Sequence, residues 1–248
     1  RQMCIRDSLW LKAVDGVSFE LRAGESLGVV GASGCGKSTL CRALMGLNPI
    51  RGGRVDLLGQ DLLSLRGETL RSARRALQMV FQDPLACLNP ALQVADAIAD
   101  PLLIHGLCSK AAAREEARRL LERVGLSPAE QFQDRLPKQL SGGQQQRVAI
   151  ARALVLKPKV LICDESVSML DAEVQADVLA LLRELQQELG LAIVFITHDL
   201  SVASGFCHRV MVLDKGKVVE EGPGDRIFSA PQAPISQTLV EACPRLPR

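Results

Sequence analysis

Ser26-Leu27-Gly28-Val29-Val30-Gly31-Ala32-Ser33-Gly34-Cys35-Gly36-Lys37-Ser38-Thr39 is the stretch that decides the fold. Its first five residues form a short apolar run, as expected for a central parallel strand buried on both faces. Gly31 to Ser38 then fit the spacing G-x-x-x-x-G-K-[ST] of a phosphate-binding loop. Lys37 to Met45 reads as a helix stopped by Gly46. A polyphosphate carries several negative charges and must be desolvated to bind. Glycine-rich backbone lets N–H groups converge on it, and the helix that follows adds its positive end. Lys37 supplies a point charge to the outer phosphates and Ser38 a hydroxyl ligand for Mg²⁺. Ala32, Ser33, Gly34, Cys35 and Thr39 complete the loop and the helix start.

The same strand-then-helix alternation extends outward. Leu77 to Phe81, Val160 to Cys163 and Ala192 to Ile196 are apolar runs that read as buried strands. Between the last two, Ala172 to Leu189 is a long helical pattern capped by Gly190. Val14 to Leu21 alternates apolar and polar residues and reads as a half-buried strand. Gly52 to Gly59 reads as turn, strand, turn, and Val210 to Leu213 with Lys217 to Glu220 flank a hairpin turn at Asp214-Lys215-Gly216. From Pro84 to about Leu156 the period changes to helix, with Ala111 to Val124 ending at Gly125. The closing residues read as a short helix and a loose tail.

Composition narrows the class. The chain has 248 residues and 47% hydrophobic content, enough for one large α/β domain or two intimately joined subdomains. A net charge of +2 sets up no field that demands nucleic acid or anionic lipid. No apolar run reaches the ~18 residues that a membrane span needs. The eight cysteines show no C-x-x-C pair and read as reduced thiols. Arg71, Arg74 and Arg75 read as a solvated helix face, and His105 and His208 as structural. Arg1 to Ser8 fit no helix or strand period; Met3 to Ser8 resemble a translated sequencing adapter, and residues 1–8 are set aside as a non-native leader.

A second phosphate motif lies far from the first, in Leu140-Ser141-Gly142-Gly143-Gln144-Gln145-Gln146-Arg147. Ser141 and Gln144 have capping-box spacing, so Ser141 should open a helix running to about Leu156. Gly142 and Gly143 let backbone approach a ligand closely, and an exposed helix N-terminus suits an anion. Downstream, Asp164-Glu165 end an apolar strand, where open α/β sheets present their ligands. A phosphate loop, then L-S-G-G-Q, then a strand ending in Asp-Glu: this order resembles the ATPase subunit of an ABC transporter, over nearly the whole chain.

That resemblance implies a P-loop NTPase (RecA-like) α/β core with an antiparallel β subdomain and an inserted helical subdomain. Residues 9–84 and 157–228 would form the core with its β subdomain, 85–156 the helical subdomain, and 229–248 a tail. It implies ATP and Mg²⁺ as ligands. Lys37, Gln82, Glu165 and His198 are the implied catalytic set. Asp164 joins Ser38 and Gln82 at the metal, Glu165 polarises the attacking water, and His198 contacts the γ-phosphate. Ser141, Gly142, Gly143 and Gln144 would meet the γ-phosphate bound on a second ATPase subunit, self or paralogue, in a head-to-tail dimer. Asp171 would link the two sites. Two permease subunits and, indirectly, an extracytoplasmic solute-binding protein complete the implied assembly, at the cytoplasmic face of the plasma membrane and without nucleic acid.

Phe81-Gln82-Asp83-Pro84, Leu88-Asn89-Pro90 and Phe195 to Leu200 are similar to the oligopeptide, dipeptide and nickel importer group. The expected cargo is peptide, with nickel import or a soluble non-transport ABC ATPase as alternatives. Three departures stand out. Ser166 replaces a usual Pro and Met169 a frequent Ala, and with no Tyr in the chain Trp10 is the nearest aromatic for stacking adenine. The stretch from Pro231 to Ser236 also departs from the group's usual tail.

Overall fold

The computed structural model describes residues 12–48 and 50–243. Among the described residues eight strands and nine α-helices succeed one another in the order expected of an α/β chain. They are β1 (Ser26–Val30), α1 (Lys37–Leu44), β2 (Asp56–Leu57), β3 (Gln60–Asp61), α2 (Gly67–Ala73), β4 (Leu77–Val80), α3 (Val94–Ile104), α4 (Lys110–Arg123), α5 (Gly142–Leu154), β5 (Val160–Asp164), α6 (Ala172–Leu189), β6 (Ala192–Ile196), α7 (Leu200–Phe206), β7 (Arg209–Asp214), β8 (Lys217–Pro223), α8 (Gly224–Ser229) and α9 (Pro234–Glu241).

Six strands form one sheet in the order β4-β5-β6-β1-β7-β8. All neighbours are parallel except β7 and β8, the hairpin expected around Gly216. Both faces are covered. Val30, Val80, Leu161, Cys163, Ile193 and Phe195 face a core built with α3 to α7. Leu27, Val29, Met79, Ile162, Val194 and Met211 face a second core under α1. This alternation is why β1 and β6 read as continuous apolar runs: each residue of either strand is buried.

The helical segment folds as expected. Ser109 caps α4 through Ala112 N–H, and α4 ends before Gly125, whose φ of 76° is the left-handed stop. Helix α6 ends likewise at Gly190, φ 63°. Arg147 donates to Val124 O at 2.7 Å, and Arg123 pairs with Glu188 at 2.5 Å, which ties the segment to α5 and α6.

Among the described residues Val14 to Leu21 pairs with no strand: Val17, Phe19 and Leu21 pack on the second core, Gly16 bends the segment at φ 68°, and Asp15 N–H donates to Gly216 O at 2.7 Å. Of the antiparallel β subdomain, the described residues show the two-residue strands β2 and β3, paired antiparallel. Helix α8 follows β8 directly, and the tail holds the expected short helix, α9; Glu220 of β8 accepts from the Gln232 and Ala233 amides at its start. Arg74 is no solvated charge, because it donates to the carbonyls of Met45 and Gly46 just past the end of α1. The leader, Trp10 and Cys4 lie outside the described residues.

Candidate active site

The sheet order brings the first motif set together. Strands β4, β5, β6 and β1 lie side by side and parallel, so their C-terminal ends open on one edge. Gln82 follows β4, Asp164 and Glu165 end β5, His198 follows β6, and residues 31–38 follow β1. The register pairs Val80 with Cys163, Asp164 with Ile196 and Val29 with Ile196, which places all four groups at one level.

The phosphate loop is shaped by its glycines. Gly31 has φ 156°, and a Cβ there would stand 2.3 Å from Leu213 O. Gly36 has φ 114°, and its Cβ would stand 2.1 Å from Ala13 O. No other residue fits either place, since backbone on the neighbouring segments cannot yield. Ala32, Ser33 and Gly34 form the exposed crest, with Cys35 buried beneath it and Thr39 inside the first turn of α1. Lys37 is buried and folds back on its own loop, donating to Gly31 O at 2.7 Å and to Ala32 O at 3.1 Å. A cation held by two carbonyls and the Cys35 thiol, with no carboxylate on it, is ready to take an anion at a helix N-terminus.

Ser38 Oγ donates to Asp164 Oδ1 at 3.4 Å. Burial holds the Asp164 carboxyl above its ordinary range, and the adjacent Glu165 charge adds to this; Ser38, Arg42 and Lys37 offset it only in part. A divalent cation is the partner such a carboxylate lacks. Among the described residues no group of three or more His, Cys, Asp or Glu side chains could hold a metal. The Ser38–Asp164 pair fits a cation such as Mg²⁺ that takes few protein ligands and fills its other positions largely from phosphate and water.

Glu165 is strained. Its φ is 46°, uncommon for a residue with a side chain and worth on the order of 1–2 kcal/mol. The surroundings hold it there: its N–H donates to Ile196 O at 2.9 Å and its carbonyl accepts from Ser168 Oγ at 2.9 Å. The carboxylate faces His198, with Nδ1 to Oε2 at 3.6 Å. His198 is exposed, as is Gln82, so both face the open edge. Sequence reasoning missed Asp199, which caps α7 through Ser201 and Val202 N–H and so fixes the segment that carries His198. A capping carboxylate ahead of an apolar helical run is the signal that marks it.

The second motif stands apart. Ser141 N–H donates to Gln144 Oε1 at 3.0 Å, and Gln144 N–H donates to Ser141 Oγ at 3.3 Å, the expected capping box. Ser141 and Gly142 are exposed. Among the described residues no hydrogen bond or ion pair joins residues 141–144 to residues 31–38. The start of α5 packs instead against the segment from Leu170 to Val174, where Asp171 caps α6 by accepting from Val174 N–H at 3.0 Å.

The thiols are quiet. Burial raises Cys41 and Cys207 well above the usual thiol range and raises Cys163 to about 12. Protonated thiols of this kind are poor nucleophiles and poor metal ligands.

Residues 14–168 match the family described as ABC transporter. The chain is 47% identical over 235 residues to the oligopeptide transport ATP-binding protein OppF of Salmonella typhimurium, covering 94% of this chain and 70% of that protein. Against the dipeptide transport ATP-binding protein DppF of Escherichia coli the figures are 48% over 236 residues, 95% and 70%. The glutathione import ATP-binding protein GsiA of Pectobacterium atrosepticum is 47% identical, with 94% of this chain and 37% of that protein covered. Among solved structures, the dimeric post-hydrolysis state of the ATP-binding cassette MJ0796, bound to ADP and Pi, superposes with a TM-score of 0.76 at 34% identity, covering 85% of this chain and 90% of that one. CbiO1 of Clostridium perfringens, part of the complex cbiONQ, gives 0.79 at 31% identity, with 88% and 84% covered.

Proposed function

The chain belongs to the ABC transporter family, and from that premise we propose that it is the ATP-hydrolysing subunit that powers peptide import through partner permeases. The observation that carries this reading is the pair of phosphate motifs. One is completed within the chain by four strand ends, while the other is an exposed, capped helix start with no anion partner of its own. The kinship with oligopeptide, dipeptide and glutathione import subunits supports peptide as the cargo.

In this reading Lys37 leaves the Gly31 and Ala32 carbonyls for the β- and γ-phosphates of ATP. The loop amides and the start of α1 hold the rest of the polyphosphate. Ser38, Asp164 and Gln82 would hold Mg²⁺, which would supply positive charge to the transferred phosphoryl group. Glu165 orients a water molecule and takes its proton as the water oxygen bonds to the γ-phosphorus and the bond to the ADP oxygen breaks. His198 donates to the γ-phosphate and, being 3.6 Å from Glu165, reports its presence to the base. Ser141, Gly142, Gly143 and Gln144 close over the γ-phosphate on a second ATPase subunit, another copy or a paralogue, and Asp171 sits between the two sites. Binding of two ATP closes the pair; hydrolysis opens it.

The segment 85–156 is the face we assign to the permeases. Leu85, Ile104 and Leu107 are 42%, 55% and 44% exposed there, close to Gln82 in sequence or at the end of α3. Among the described residues no helix is long and apolar enough to cross a membrane. Attachment to the cytoplasmic face therefore runs through those partners.

Affinity purification from solubilised membranes tests the assignment. Recovery of two polytopic permeases and a second ATPase subunit is expected, with turnover stimulated by a peptide-loaded binding protein. Recovery without any membrane partner overturns the transport reading, and stimulation by a nickel-loaded binding protein alone overturns the cargo.

A further inference from the structure

Helix α5 opens with two glycines, and their surroundings differ. A glycine inside a helix weakens it relative to alanine, so each calls for a reason. A Cβ on Gly142 would meet nothing nearer than Leu170 Cδ2 at 3.7 Å, an ordinary contact, and Gly142 is exposed. A Cβ on Gly143 would stand 2.4 Å from Val174 Cγ1, with Val174 Cβ at 3.7 Å and Cγ2 at 3.9 Å behind it. Val174 cannot swing aside cheaply. It is β-branched and sits in the first turn of α6, where one χ1 rotamer dominates. Its side chain is half-buried against the main core, and its N–H is held by Asp171. The same short segment starts at Glu165, whose carbonyl accepts from Ser168 Oγ at 2.9 Å.

We infer that Val174 is a positioning residue: its contact with Gly143 sets where the N-terminus of α5 stands relative to the segment 165–174. Glycine is required at 143 by that internal fit, whereas at 142 the open surroundings leave the backbone to the ligand. The contact joins the start of α5, which the other chain's phosphate meets, to the segment that begins at this chain's own Glu165. The inference rests on the proposed sharing of sites between two subunits.

The test uses the full chain with Glu165→Gln as parent and adds Gly143→Ala, Val174→Ala, both together, or Val174→Leu. Three quantities are read: nucleotide affinity of the single chain, ATP-driven association by sedimentation, and amide hydrogen exchange of residues 141–145 without nucleotide. Gly143→Ala should weaken association by about tenfold or more, as expected for overpacking, with faster exchange and unchanged nucleotide affinity. Adding Val174→Ala should bring association back to within about threefold of the parent and restore the exchange. Val174→Leu, which keeps both glycines, should weaken association by roughly five- to tenfold. A double variant as weak as Gly143→Ala, with exchange equally fast, overturns the inference and returns Gly143 to a role in ligand approach. If Gly143→Ala does not fold, Val174→Leu decides, and unchanged exchange with unchanged association overturns it. A parent that never associates with ATP refutes the shared-site reading instead, while the exchange data still decide the contact.

Discussion

Residues 31–38 and residues 141–144 each present a helix N-terminus suited to an anion, yet they are built on opposite plans. The first is set by long-range backbone contact. Gly31 and Gly36 fit against the carbonyls of Leu213 and Ala13, and the loop faces Asp164, Glu165 and His198 from neighbouring strands. The second is set locally, by a reciprocal cap between Ser141 and Gln144, and faces open space. In the proposed reading the first binds alone, and the second, with donors but none of the chemistry, serves as one half of a shared site.

The contrast can be broken in order of expected effect. Glu165→Gln should slow turnover by about 10²–10⁴-fold while ATP binding persists, read by single-turnover hydrolysis beside a binding titration. Unchanged turnover removes Glu165 as the base. Lys37→Ala should cost about 2–5 kcal/mol of nucleotide binding, a loss above roughly 30-fold, in a fluorescent-nucleotide titration. Near-normal affinity would mean that the first loop does not hold the phosphates.

Asp164→Asn separates function from stability. Because the folded carboxyl titrates above its unfolded value, the native chain holds that proton more tightly. Stability is therefore present below the unfolded pKa, about 3.9, and falls as pH rises through the folded one. The asparagine variant should melt higher than the nucleotide-free parent at neutral pH, lose that advantage in acid, and fail to turn over ATP. A lower melting temperature at neutral pH contradicts the burial argument. Ser141→Ala has the smallest effect: loss of the cap should cost about 1 kcal/mol, roughly 2–4 °C in Tm at this size. Turnover should fall with it, while single-chain nucleotide affinity stays constant. A fall in that affinity would place Ser141 in the first site.

Much of this architecture is legible in the sequence because the signals are local. Unbroken apolar runs mark β1, β5 and β6, glycine spacing marks the loop at 31–38, and Ser141 with Gln144 predicts its own cap. What is not legible depends on partners remote in the chain. Val14 to Leu21 has the alternation of a strand, yet among the described residues it pairs with no strand, and Gly16 bends it at φ 68°. Arg74 reads as a surface charge until the end of α1 brings two carbonyls to it. The left-handed backbone of Glu165 is imposed by Ile196 and Ser168 around it, and no propensity at that position announces it. Likewise the glycine pair at 142 and 143 looks uniform in sequence and divides only when Val174 is seen against one of them.

Mixing two disabled chains tests cross-chain completion most directly. In a Glu165→Gln background, one chain carries Lys37→Ala and the other Ser141→Arg, and ATP-driven association is followed by sedimentation. A pair of copies drawn from the mixture keeps one intact site, made of the 31–38 loop of one chain and the α5 start of the other. The account predicts little association of either variant alone and recovery on mixing. Association of the Ser141→Arg chain alone at the parent's affinity would contradict it, because the start of α5 would then take no part in the site.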